Sequence, residues 1–136
     1  MTGECNYLNY HFGPANVAAW SVSIGVELER GPDAAERAEA DVSRLAAALA
    51  SADRRSWLHF DLARGWAQAG GDRDAEAIRH LDTADRIAPT RIRNDPVARE
   101  LVLTLDRRAR RRVWELDSLR NRFGIGGARP ARNAKP

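Results

Sequence analysis

Residues 53–89 read DRRSWLHFDLARGWAQAGGDRDAEAIRHLDTADRIAP, and the fold class turns on this stretch. Leu58, Leu62, Trp66 and Ala69 recur at spacings of four, four and three, the period of one helix face. Gly70-Gly71 then stops the helix, because glycine enters a left-handed cap without steric cost. Ala77, Leu81, Ala84 and Ala88 trace the buried face of a second helix, and Pro89 ends it. Asp53 is the expected cap of the first helix, and Asp72 or Asp74 of the second, since a carboxylate can accept from the free amides of a first turn. The stretch therefore predicts a helical hairpin whose short turn makes the two helices antiparallel neighbours.

The same period extends in both directions. Upstream, Pro14 suits the first turn of a helix in which Val17, Trp20, Ile24 and Leu28 form the expected buried stripe, running to about Arg30. Gly31-Pro32 breaks it, Asp33 can cap the next helix, and Ala38, Val42, Leu45 and Leu49 mark a stripe ending near Ser51. Downstream, a turn with Asn94 leads to Asp95-Pro96, a cap followed by proline at the first helical position. Val97, Leu101, Leu105 and Ala109 follow on one face, then Val113, Leu116, Leu119, Arg120 and Phe123. No proline or glycine forces a break between Arg107 and Arg112, so one long helix or two both fit. No run alternates as a strand would. The fold class expected is all-α: a solenoid of helical hairpins, with five to six antiparallel helices over residues 13–123. Residues 1–12 form a lead segment, and 124–136, poor in large apolar residues, read as a disordered basic tail.

At 136 residues, with 43% hydrophobic and 30% charged residues, the chain has the composition of one globular domain. The lone Cys5 excludes disulfide scaffolds and cysteine-based zinc sites within one chain, and no stretch approaches the ~20 apolar residues of a membrane span. An intracellular, cytoplasmic setting with no membrane partner is expected. Net charge is +3 but uneven: residues 1–90 hold 9 basic against 14 acidic side chains, and residues 91–136 hold 13 against 5. Such asymmetry marks a partner-facing segment, for nucleic acid or an acidic protein surface.

Two hairpins, 14–51 and 53–89, begin about 38 residues apart, within the range of helical repeats. Leu62-Ala63 and Trp66, then Ala77, Leu81, Ala84 and Pro89, resemble the signature positions of a tetratricopeptide repeat, with a longer interhelix turn. Phe12-Gly13-Pro14-Ala15-Asn16-Val17, Leu62-Ala63-Arg64-Gly65-Trp66-Ala67, Ala84-Asp85-Arg86-Ile87-Ala88-Pro89 and Asp95-Pro96-Val97-Ala98-Arg99-Glu100-Leu101-Val102 sharpen the likeness. In this order they resemble the C-terminal tetratricopeptide-like domain of actinobacterial XRE-family helix-turn-helix transcriptional regulators, over residues 12 to about 125. The resemblance implies a sensor or protein-interaction domain. About a dozen residues precede the first repeat helix, against on the order of 55–60 for a helix-turn-helix domain. DNA is therefore expected to be reached only through a fused or partner DNA-binding domain.

Several residues invite chemistry. Trp57, Phe60, Arg64 and Gln68, with Asn16, are the candidates for a concave groove that takes a peptide, a small-molecule signal or a protein partner. Trp66, on the stripe, belongs to the core. Arg107, Arg108, Arg110, Arg111 and Arg112 would give a nucleic-acid-binding alternative its salt-sensitive affinity. A further alternative is a dimerisation or adaptor protein, with the degenerate first hairpin leaving an apolar edge for a homodimer. His59, Asp61 and His80 do not make a metal set, because residues two apart on a helix diverge by roughly 200°. Asp72/Asp74 and Asp82/Asp85 are expected at caps and on exposed faces. HExxH, P-loop, GxSxG and GxGxxG motifs are missing, and neither Cys5, Ser21 nor Ser23 has a base that the sequence can place beside it. The reading is non-enzymatic, with no cofactor and no metal.

Overall fold

A computed structural model describes residues 14–125; the expectations for the lead segment 1–12 and for the tail beyond Ile125 lie outside the described residues. Eight helices follow one another: α1 (Pro14–Glu27), α2 (Gly31–Glu39), α3 (Val42–Ala48), α4 (Ala52–Ala67), α5 (Asp74–Ile87), α6 (Pro89–Arg93), α7 (Pro96–Arg108) and α8 (Trp114–Arg122). The α4–α5 hairpin is the centre, with α4 touching α1, α2, α3, α5 and α7. Ala63, Ala77 and Ala84 are wholly buried, so small residues let the two helices close while Leu58, Leu62, Trp66 and Leu81 fill the space between layers. The hairpin turn passes through the left-handed region at Gly70 (φ +78°) and Gly71 (φ +111°), where a side chain would be strained. Close approach on the other side of α4 also depends on glycine. A Cβ on Gly65 would stand 2.9 Å from the Gly31 carbonyl oxygen and 3.2 Å from the Ala35 Cβ.

The caps match in part. Asp95 accepts from the amides of Val97 (2.8 Å) and Ala98 (3.2 Å), as expected for α7. Ser51, not Asp53, caps α4, its hydroxyl accepting from the Arg54 amide at 3.2 Å. Helices α2 and α5 begin without a side-chain cap; Asp33 and Asp74 lie inside their first turns, where the helix dipole still favours a carboxylate.

Three expectations need correction. The count is eight rather than five to six. The expected second helix bends at Ala40-Asp41, where the Asp41 amide bonds back to the Ala38 carbonyl; Pro89–Arg93 forms a separate short turn of helix, and the chain opens between Arg108 and Trp114. In the last case Ala109 and Val113 pack against the core while Arg110, Arg111 and Arg112 between them stay in water. Second, the first helix is turned over. Val17, Trp20, Ile24 and Leu28 are 50%, 42%, 58% and 64% exposed, and Val22 and Val26 are buried instead. Gly25 explains the choice: it lies against Ala34 of α2, so the small-residue face packs inward and the bulky row outward. Val97 of α7 is likewise exposed, with Ala98 and Val102 buried in its place.

Third, Asp85 is completely buried rather than on an exposed face. Its carboxylate accepts from Arg93 Nε (2.8 Å) and Nη2 (3.0 Å) and from Arg122 Nη1 (2.6 Å). Arg122 Nη2 also reaches Asp82 (2.6 Å), which pairs with Arg86 (2.9 Å). Burial pushes the Asp82 carboxyl up, but the hydrogen bonds from Arg122 and Arg86 outweigh it and hold the group below its ordinary range. This network ties α5, α6 and α8 together.

Candidate functional site

A cleft of about 540 Å³ opens between α1 and the amino half of α4. Ala19, Trp20 and Ser23 line it from α1; Trp57, Leu58 and Asp61 from α4; Arg91 of α6 closes one end. The helix period places these residues together, since 54, 57, 58 and 61 share one face of α4. Trp57 is half-buried and held on both sides. Its ring centroid lies 5.0 Å from that of Phe60, and the Arg91 guanidinium sits 4.9 Å from the Trp57 centroid while bonding Asp53 at 3.1 Å.

Asp61 forms the floor. Burial pushes its carboxyl up to about 6, against the opposing pull of Arg64, whose Nη1 stands 3.2 Å away, and of the Ser23 hydroxyl. The cleft therefore holds a carboxyl that passes from donor to acceptor as pH rises through about 6.

The candidates drawn from the sequence do not assemble into one groove. Trp57 lines the cleft. Phe60 does not: it is 1% exposed and belongs to the core, because position 60 points between α4 and its neighbours rather than outward. Arg64 bonds Glu27 (2.9 Å) and Asp61, and its guanidinium stands 5.7 Å from the Phe60 ring centroid. The Gln68 side-chain oxygen accepts from the Gly31 amide (2.8 Å), and its Nε2 donates to the Val26 carbonyl (2.9 Å). Both residues thus clamp α4 to the turn between α1 and α2. Asn16 lies in α1, and its side chain is outside the described residues.

One cluster could not be read from sequence spacing. His59 Nδ1 and His80 Nδ1 stand 3.0 Å apart, and His80 Nε2 is 2.8 Å from Glu39 Oε1. Glu39 also accepts from Trp66 Nε1 (3.1 Å) and pairs with Arg79 (3.4 Å). With His80 donating to Glu39, its Nδ1 is the acceptor for His59 Nδ1–H. Burial pushes Glu39 up, but the His80 and Trp66 hydrogen bonds hold it below its ordinary value. His80 is lowered by burial, and His59 is lowered to about 4 by burial and the neighbouring His80. The three residues come from α2, α4 and α5, so only tertiary packing brings them together. Among the described residues no group of three or more His, Cys, Asp or Glu is placed to hold a metal.

The two buried groups act in opposite directions on stability. Asp61, raised from 3.8 to about 6, favours the folded state at low pH and loses that contribution as pH rises through about 6. His59, lowered from 6.5 to about 4, favours it at high pH and loses that contribution as pH falls through about 4. Each is worth up to ~3 kcal/mol. Urea midpoints measured between pH 6.5 and 4 should therefore fall more steeply for Asp61→Asn than for the parent, and less steeply for His59→Gln. Parallel profiles for all three proteins would show that neither group carries this dependence.

The arginine run is not a helix face. Arg107 pairs with Glu100 (3.5 Å), Arg108 with Asp74 (2.7 Å) and the Ala67 carbonyl (3.1 Å), and Arg112 with Asp117 (2.7 Å) and the Trp114 ring. Arg110 and Arg111 are exposed in the link between α7 and α8.

No family model matches this chain, and searches of curated proteins and of solved structures find no match. The described residues form an all-helical domain of eight helices with a half-open aromatic cleft. No described helix is long and apolar enough to cross a membrane.

Proposed function

We propose that this chain is a non-enzymatic sensor or protein-interaction module, and that the cleft between α1 and α4 takes a peptide or a small-molecule signal. The observation that carries the reading is the pair of tryptophans, Trp20 and Trp57, at a cleft large enough for several side chains and floored by Asp61. Trp57 is pre-positioned by Phe60 and Arg91, so little side-chain entropy remains to be lost on binding. The finer reading follows the sequence likeness. The α4–α5 hairpin is the tetratricopeptide-like unit, and the module serves an XRE-type transcriptional regulator whose DNA-binding part is fused or separate. A ligand bridging α1, α4 and α6 would fix their relative packing, and the partner would read that change.

The test is a thermal-shift screen of peptides and small metabolites against the parent and against Trp57→Ala. A compound that raises the parent's melting temperature and leaves Trp57→Ala unmoved is the expected result. A compound that shifts both proteins equally binds elsewhere, and the cleft assignment falls. The nucleic-acid alternative draws on Arg110 and Arg111, since the other three arginines of the run are engaged. Steep loss of duplex binding with salt, removed by replacing these two, would favour it.

A further inference from the structure

The outward row of α1 has a second use; Trp20, at its edge, also lines the cleft, while Val17, Ile24 and Leu28 lie outside it. Val17, Trp20, Ile24 and Leu28 fall within about 80° of one another around the helix, Leu28 extending it through its amide bond to the Ile24 carbonyl at 3.0 Å. Their exposed side chains present roughly 400 Å² of largely apolar surface, the size of the largest such patch on a typical monomer, which is often a functional one. Helix α1 carries no charged residue before Glu27, so the face is uncharged along almost its whole length. A helix apolar on both sides is one that has neighbours on both sides.

We infer that this row is the contact face of a homodimer, in which α1 packs antiparallel against α1 of a second copy across a two-fold axis. The row is self-complementary in that arrangement. With the axis near residue 22, Trp20 meets the partner's Ile24 and Val17 meets the partner's Leu28, so each bulky side chain faces a different one instead of its own copy. Ser21, beside the axis, is exposed and small, and its hydroxyl is already satisfied by the Val17 carbonyl at 3.0 Å, so helices can approach there without stranding a donor. Glu29, at the carboxyl end, comes to lie near the amino end of the partner's α1, where the helix dipole is positive. The row supplies about half of the ~800 Å² per partner of a standard interface, which makes this a reversible, concentration-dependent dimer and not an obligate one.

Sedimentation equilibrium of the full chain over a wide concentration range tests this. The expected mass rises with concentration from 15.1 kDa toward twice that value. Ile24→Glu with Leu28→Glu should hold it at the monomer, because two buried carboxylates per copy would face an apolar partner. Both residues are more than half exposed and lie outside the cleft, so the circular dichroism spectrum should be unaffected by the change. Val97→Glu, an exposed apolar position on α7, should leave the dimer intact. A chain that stays monomeric at every concentration overturns the inference and leaves the row to another partner or to the residues before Pro14. A dimer that survives the double α1 variant, or is lost in Val97→Glu, overturns it as well.

Discussion

Replacing Asp85 by alanine should destabilise the protein by about 3–5 kcal/mol, read as a fall in the urea midpoint with little change in slope. The carboxylate is completely buried and accepts three hydrogen bonds from two guanidiniums. Its removal strands Arg93 and Arg122 around an empty site, with Arg122 only one-fifth exposed to water. Breaking a buried pair from one side is costly because the surviving charge keeps its desolvation penalty and loses its compensation. Arg122→Ala should cost less, since Asp85 keeps its two bonds from Arg93 and Asp82 keeps Arg86. Equal losses in the two variants, or a loss below ~1 kcal/mol in Asp85→Ala, would mean that the network does not hold α8 in place.

Phe60→Ala should cost a similar ~3–5 kcal/mol, the range for removing a fully buried aromatic ring. The ring is 1% exposed, lies 5.0 Å from Trp57 and supports the Arg64 guanidinium. Its loss leaves a void at the middle of α4, where five other helices converge. A groove residue would behave in the opposite way, with binding impaired and the midpoint almost unchanged. Denaturation of this single variant therefore separates core from groove at position 60.

The outcome at Phe60 shows where sequence reading stops. Helical period and turn residues made the all-α class legible, along with the α4–α5 hairpin and the Asp95 cap, because each depends on residues close in the chain. The facing of α1 was not legible. Its bulky row and its small row both recur at helical spacing, and the choice was made by Gly25 closing on Ala34 in another helix. The breaks at Ala40-Asp41 and at residues 109–113 carry no glycine or proline, so no local signal marks them. At the site, Trp57 and its helix face could be found from spacing. Trp20 could not, because helical spacing places it in a stripe expected to be buried. Asp61, His59 and His80 stand out in the sequence as titratable groups, but their partners Ser23, Glu39 and each other come from distant helices. Arg64 and Gln68 read as groove residues in the sequence, and only the α1–α2 turn packed beside them makes them clamps.

The open link between α7 and α8 gives the chain a seam. Arg110 and Arg111 stand in water at a bend in an exposed link, the kind of site where a trypsin-like protease nicks. The piece beyond the seam is anchored by means other than its peptide bond: Leu116, Leu119 and Phe123 are buried, and Arg122 is bound to Asp82 and Asp85. Cleavage there is therefore expected to leave the two fragments seated together, which co-elution of both pieces in size-exclusion chromatography after limited trypsin digestion would show.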